Sequence, residues 1–227
     1  MGELSVENKV VVVPGEQLAV GMDFVSSYGT YRDDEIICSN ILGLASIDGR
    51  VIKVIPLSGL YLPVKGDVVI GQVVDILLSG WRIDINSPYS SVLSLKEATS
   101  DFIARGSDIT RYFNFDDWVV VKIVNVSGQN IVDVSAKGPG LRRLGPGRVI
   151  TVNPTKVPRI IGKQGSMVKM INEITGCRVT VGQNGVVWLQ GDPESELKVV
   201  DAIRKIEKEA HVSGLTERVK SFLEGKK

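Results

Sequence analysis

Residues 157–177 read VPRIIGKQGSMVKMINEITGC. The segment Gly162-Lys163-Gln164-Gly165 lies between an apolar run and a pattern of helical period. Glycines lack a β-carbon, so they reach backbone angles closed to other residues and let a sugar-phosphate chain come close to the peptide plane. Ser166 is expected to cap a helix whose apolar positions Met167, Met170, Ile171 and Ile174 keep helical spacing, with Gly176 as its stop. The positive end of that helix would face the loop, and Lys163 and Lys169 would add full charges for a phosphate. A bare G-x-x-G recurs by chance in many chains, so the surrounding elements decide its reading.

Those elements come in a definite order. Arg148 to Val152 reads as a strand, and Thr155 to Ile161 as a short helix interrupted near its start by Pro158. After the loop and its helix, Cys177 to Val181 and Val186 to Gln190 alternate as a hairpin about Asn184-Gly185, a strong turn signal. Asp192-Pro193 then opens a helix with Asp as N-cap and Pro in the first turn, its apolar residues being Leu197, Val200, Ile203 and Ile206. This strand-helix-GxxG-helix-strand-strand-helix order resembles a KH domain with its extra helix at the C-terminus. The resemblance implies a single-stranded RNA site at Arg159, Ile160, Ile161, Gly162, Lys163, Gln164, Gly165, Ser166 and Lys169. The loop would hold phosphates, and an apolar groove including Ile160, Ile161 and Val179 would take unstacked bases.

Charge points to the same region. The chain carries 27 basic and 26 acidic residues, a net charge of +1. Residues 1–64 hold four basic against eight acidic, 65–137 seven against nine, and 138–227 sixteen against nine. From Gly138 to Arg178, eight basic residues face the lone Glu173. An imbalance that brackets the G-x-x-G reads as a phosphate-tracking surface.

At 227 residues and 43% hydrophobic content the chain is long enough for two or three small folded domains. No apolar run approaches the ~18 residues of a membrane span, and MGELSVENKV contains no signal-peptide core, so a soluble, cytoplasmic protein is expected. Cys38 and Cys177 stand far apart and offer neither a disulfide framework nor a zinc site. Both are expected as small core residues.

The middle of the chain reads as five strands rich in β-branched residues: Asp67 to Leu77, Trp81 to Asn86, Ser91 to Leu95, Trp118 to Val126 and Asn130 to Ala136. Five strands suggest a small barrel. Gly71 inside the first would allow a tight bend, and the long connection from Lys96 to Asp117 falls where OB-folds carry an extra helix or loop. From Gly71-Gln72-Val73 to Val132–Lys137 the pattern is similar to the RNA-binding OB-fold named after ribosomal protein S-one. It departs from that pattern at Gly80-Trp81-Arg82-Ile83, where one aromatic and one cation replace an aromatic pair. It departs again on the third strand, where Ser94 or a neighbouring Leu stands in place of a His. RNA contact by the barrel would then lean on Arg82, Arg111 and Lys122 as charges. Trp81 is open to both base stacking and barrel packing, and Trp118 favours packing. Tyr112, Phe113 and Phe115 fit either stacking on bases or a hydrophobic plug.

Residues 1–64 read as a separate all-β module with strands at Lys9 to Val13, Gln17 to Val25, Ile36 to Ala45 and Gly49 to Pro56. Its acidic balance makes it a poor nucleic-acid surface and a better docking piece. Gly138-Pro139-Gly140 through Gly145-Pro146-Gly147 forms a linker, 138–147, suited to fixing two domains against each other. The KH-like domain and its C-terminal helix occupy 148–227. The expected fold is thus multidomain and mainly β, with a β module, a five-stranded OB-fold barrel and a C-terminal α+β domain.

With VVVPGE at Val11–Glu16, GTYRDDE at Gly29–Glu35 and the KH loop, the whole chain closely resembles the archaeal exosome cap subunits that carry S-one and KH domains. The sister cap subunits end in a zinc ribbon, and no cysteine pairs exist here to hold one. The resemblance implies a non-catalytic subunit acting in RNA processing. Three copies would cap an RNase PH-type ring, the N-terminal module would dock on it, and single-stranded RNA would be guided through the pore for 3'-to-5' degradation. A free-standing RNA-binding regulator built from the same OB-fold and KH domains is the alternative.

The residues themselves offer no catalyst. His211 is the only histidine, so no Cys-His or Ser-His-Asp set can be assembled around a second one. Asp33-Asp34-Glu35 and Asp116-Asp117 are carboxylate runs, but adjacent side chains on a strand point to opposite faces and seldom share a metal. The GKQGS segment lacks the spacing of a P-loop or a dinucleotide site. No cofactor or metal is expected.

Overall fold

Short β-branched runs broken by Gly, Asp and Ser shape the N-terminal part of the computed structural model, which describes residues 2–99, 108–210, 212 and 214–224. The chain divides into two units, Met1–Gly59 and Leu60–Lys227. The first holds β1 (Glu3–Leu4), β2 (Val11–Val12), β3 (Gln17–Val20), β4 (Val25–Ser26), β5 (Thr30–Asp33), β6 (Ile36–Ser39), β7 (Gly43–Asp48) and β8 (Val51–Pro56). These form two four-stranded sheets, β1-β3-β6-β5 and β2-β7-β8-β4. Val12, Leu18, Ile37, Ile52 and Val54 lie in their common core. Two expected long strands are each broken in two. Gln17 to Val25 stops at Gly21, whose φ is +115°. Ile36 to Ala45 changes sheet after Ser39, whose hydroxyl donates to the Ile41 carbonyl at 2.7 Å. A side chain that bonds its own backbone two residues on turns the chain where periodicity alone would continue it.

In the second unit the barrel is built from β9 (Val68–Leu77), β10 (Gly80–Asp84), β11 (Ser90–Ser94), α1 (Leu95–Ala98), β12 (Trp118–Val126) and β13 (Ile131–Ser135). The strands run β13-β11-β10-β9-β12, and a β12–β13 pairing closes the ring. Gly71 is where the wall folds tightly, since a β-carbon there would come within 2.4 Å of the Ile83 side chain. The interior is filled by Val69, Val73, Trp81, Ile83, Leu93, Val121 and Ile123, all essentially inaccessible. The linker is no tether: its Arg142–Arg143 form β14, paired antiparallel to Val119 and Val120 of β12.

The C-terminal part follows as β15 (Arg148–Thr151), a 3-10 turn at Pro154–Lys156, α2 (Val157–Ile161), the loop turn Lys163–Gly165, α3 (Ser166–Thr175), β16 (Arg178–Val181), β17 (Val186–Gln190), α4 (Pro193–Glu209) and α5 (Leu215–Leu223). Its sheet is ordered β15-β17-β16. Pro158 sits in the first turn of α2 and does not interrupt it, because a first-turn N–H has no intrahelical partner to lose. The Asp192 carboxylate caps α4 through the Glu194 amide. That helix buries Val199, Ala202, Ile203 and Ile206. Leu197 is exposed, so the inward face is rotated from the one expected.

One face of this sheet covers the helices and the other covers the barrel, where Val186 and Trp188 pack with Ile70, Val120 and Leu144. The turn at the tip of the β16–β17 hairpin enters the barrel wall. Asn184 is fully buried, and its amide donates to the carbonyls of Ile70 at 2.7 Å and Ile85 at 2.8 Å. Its Oδ1 accepts from the Ile70 amide at 3.3 Å. Gln183 exchanges two further bonds with Val68, at 2.9 and 2.6 Å. The pairing of β9 with β10 ends at Gln72 and Asp84, so the Asn184 side chain supplies the missing partners where these strands part.

Candidate nucleic-acid interface

Gly162 ends α2 at φ +73° and ψ 174°, a conformation that favours glycine. A β-carbon there would also lie 2.8 Å from the backbone nitrogen and Cβ of Met167, whereas at Gly165, φ +78°, nothing lies within 4 Å. Between them Gln164 adopts φ 53° and ψ 30°, which leaves Lys163 and Gln164 exposed at the tip. The turn is held from within: Gly165 donates to the Gly162 carbonyl at 3.2 Å and Gly162 to Pro158 at 3.0 Å.

Ser166 is not the N-cap. It is the first residue of α3, and Gly165 holds the cap position in a left-handed conformation with no side-chain bond. No side chain caps the first turn of α3, and since its Ser166 amide donates to the Lys163 carbonyl, the amides that follow it are the ones suited to an anion. Arg159, Lys163 and Lys169 are all exposed around this turn. Among the described residues none of the three is in a salt bridge.

The apolar wall differs from expectation. Ile160 is wholly buried with Val157 in the helix-sheet core, and Val179 is 8% exposed. Ile161, Val168 and Val181 remain partly open at the margin of that core. On a helix as short as α2 the residue pointing inward is hidden, and its neighbour reaches the rim. Ile161 is thus partly open at the surface, and Ile160 is enclosed in the core.

The barrel cations do not form one patch. Arg82 on β10 is half-exposed, 3.8 Å from Asp75. The Arg111 guanidinium lies 5.4 Å over Tyr112 and donates to the Asp108 carbonyl at 3.1 Å. Bonds from the Thr110 hydroxyl and amide hold the Asp108 carboxyl below its ordinary pKa. Lys122 pairs with Val68, at the opposite end of β9 from Asp75. Val68 is also the residue bonded to Gln183, so Lys122 stands beside the seam with the C-terminal domain.

Trp81 cannot stack on a base. It is inaccessible, donates from Nε1 to the Phe113 carbonyl at 2.8 Å, and meets the Phe113 ring edge-on at 5.3 Å. Phe113 is the plug, Phe115 is 57% exposed, and Trp118 is half-buried against the seam.

The Asp116-Asp117 run is engaged within the protein. Asp117 pairs with Arg143 at 2.7 Å and accepts from the Asn114 amide at 2.6 Å, while Asp116 accepts from Gln72 at 3.2 Å. Among the described residues no group of three or more His, Cys, Asp or Glu is placed to hold a metal. His211 lies outside the described residues. Cys177 is buried and Cys38 only partly so; Cys38 lies across from Tyr31 and raises the pKa of that phenol.

Comparison with known proteins fits this geometry. A KH domain family matches residues 147–208, and the family described as RRP4, S1 domain matches residues 60–105. The exosome complex component Rrp4 of Methanothermus fervidus is 42% identical over 97% of this chain and 97% of its own length. The chain belongs to the Rrp4 family. The Rrp4 of Thermococcus kodakarensis is 41% identical over 98% of the chain and 88% of its own length. A crystal structure of a protein named as an exosome complex RNA-binding protein superposes with a TM-score of 0.66 at 34% identity, over 74% of this chain and 97% of that one. In this chain the hairpin turn Gln183-Asn184 fastens the KH domain to the S1 barrel. Sequence reading found the turn but not its role, because an Asn-Gly pair signals a turn and carries no mark of what the turn will touch. No helix among the described residues is long and apolar enough to cross a membrane.

Proposed function

We propose that this chain is a non-catalytic RNA-binding subunit of an exosome, gripping single-stranded RNA through the Gly162–Gly165 loop and passing it to a degrading ring. The observation that carries the reading is the loop itself. Gly165 leaves the backbone open while Gly162 lets the chain pass close to Met167, and Lys163 and Gln164 stand at the tip with the start of α3 behind them. Phosphates would meet the amides and Lys163, Lys169 and Arg159, while bases would lie on Ile161 and its neighbours. Arg82, Arg111 and Lys122 on the barrel would guide the strand as separate charges, with Ser166 beside the phosphates. The proposal extends to a finer assembly, which the likeness to exosome components supports: three copies would cap an RNase PH-type ring, with the N-terminal module docked on it, in the cytoplasm.

Fluorescence anisotropy of a labelled adenine-rich RNA, with the intact chain and with Lys163→Asp plus Gln164→Asp, tests the grip. Loss of binding by about tenfold or more is expected, and unchanged affinity would move the grip to the barrel cations. Native pull-down tests the assembly, which fails if the chain emerges as a monomer without RNase PH-type partners. Intact RNA after prolonged incubation with the pure chain is the outcome expected of a non-catalytic subunit.

A further inference from the structure

A cleft of about 310 Å³ opens at the margin of the barrel–KH seam, lined by Gln72, Asp84, Asn86 and Trp118 on one side and by residues 149–151 of β15 on the other. Strand β15 is one of the two outer strands of its sheet. Val152 donates to the Gly185 carbonyl, and Ile150 stands opposite Val187. Antiparallel alternation therefore turns the N–H and C=O of Val149 and Thr151 away from β17. Among the described residues no backbone bond is made to these groups from that outer side. An unpaired edge of this kind is a template for an extended chain.

The opposite wall defines what that chain carries. The Asn86 side-chain amide donates to the Asn184 carbonyl at 3.4 Å, and the Gln72 side-chain amide to Asp116 at 3.2 Å, so each has committed one of its two hydrogens and Asp84 is the charged group of this wall. Asp84 Oδ1 accepts from the Asn86 backbone N–H at 2.8 Å, leaving its second oxygen for an incoming donor. Excess acceptors beside a half-buried indole suit a guanidinium, which pairs with a carboxylate and stacks on an aromatic face. RNA is disfavoured because the nearby cations are taken: Arg143 by Asp117 at 2.7 Å and Arg148 by Glu196 at 3.3 Å.

We propose that this cleft receives an extended basic segment of a protein partner, added as a strand to β15 with an arginine side chain between Trp118 and Asp84. The site is separate from the Gly162–Gly165 loop and does not depend on RNA binding.

The probe is a labelled octapeptide of alternating valine and arginine, titrated into the full-length 15N-labelled chain. Shifts should concentrate in the amides of Val149, Ile150 and Thr151 and in the Trp118 indole. Asp84→Asn keeps the oxygen that accepts from Asn86 and removes the charge, and should weaken binding about fivefold. N-methylation of alternate peptide bonds, on the pairing edge of the probe, should weaken it about tenfold. A glutamate version of the peptide should leave these signals unmoved. The proposal is overturned if the arginine peptide at millimolar concentration moves none of them, or if Asp84→Asn binds equally well. It is equally overturned if a single-stranded RNA decamer, and not the peptide, shifts Trp118 and β15.

Discussion

Gly162 and Gly165 share a positive φ but differ in ψ and in what surrounds them. At Gly165 a methyl group meets open space, so Gly165→Ala should cost only the torsional penalty, about 1 kcal/mol. Gly162→Ala adds a collision with Met167 and should cost about 3 kcal/mol, which urea denaturation of the two variants would separate. A second residue-scale effect concerns Tyr61, whose hydroxyl donates to Asp67 Oδ2 at 2.6 Å. Burial, then the bond to Asp67, push its pKa far above the ordinary tyrosine value. The folded state thus keeps the neutral phenol where the unfolded chain ionises. Its contribution is complete below about pH 10 and falls above it by up to about 1.4 kcal/mol per pH unit. Tyr61→Phe should lower stability at pH 7 by about 2 kcal/mol. It should also flatten the decline of the urea midpoint between pH 10 and 11; an unchanged slope would assign that decline to other groups.

At the scale of elements, the β16–β17 hairpin makes a prediction that its turn chemistry alone would not. Asn184→Ala leaves Ile70 and Ile85 backbone groups buried without partners and should cost about 3 kcal/mol. Asn184→Asp is closer in shape yet should cost more. It replaces the donating amide by an acceptor facing two carbonyls, and buries a charge. Hydrogen exchange at Ile70 should rise in both variants while that of α4 changes little. The hairpin was legible from Arg178–Val181, Val186–Gln190 and the Asn-Gly between them, because strand period and turn type are local properties. Its docking was not, since Ile70 lies far back in the chain. The barrel strands were likewise readable to within a residue or two. The N-terminal strands were not, because a single apolar run there serves two sheets.

For the whole molecule, the seam makes barrel and KH domain one energetic body, so scanning calorimetry of residues 60–227 should give a single transition with calorimetric and van't Hoff enthalpies equal. Two resolved transitions would mean the Asn184 contacts are weak. RNA affinity should fall linearly with salt on logarithmic axes, and removing Lys163 should reduce the slope by about one. What the sequence determined by itself was everything set by near neighbours. That includes the G-x-x-G turn with its required glycines, the capped start of α4 at Asp192-Pro193, and the β-branched barrel strands. The overall order of elements belongs with these, and it places the chain among the Rrp4 proteins. Tertiary structure alone decided which side chains those elements spend inside. Trp81 lies in the barrel interior, and Ile160 in the helix-sheet core and not at the surface. Arg82 and Lys122 stand apart, and Asn184 completes the wall of another domain. Each of these depends on contacts between residues distant in sequence, and local propensity carries no information about a partner that only folding brings near.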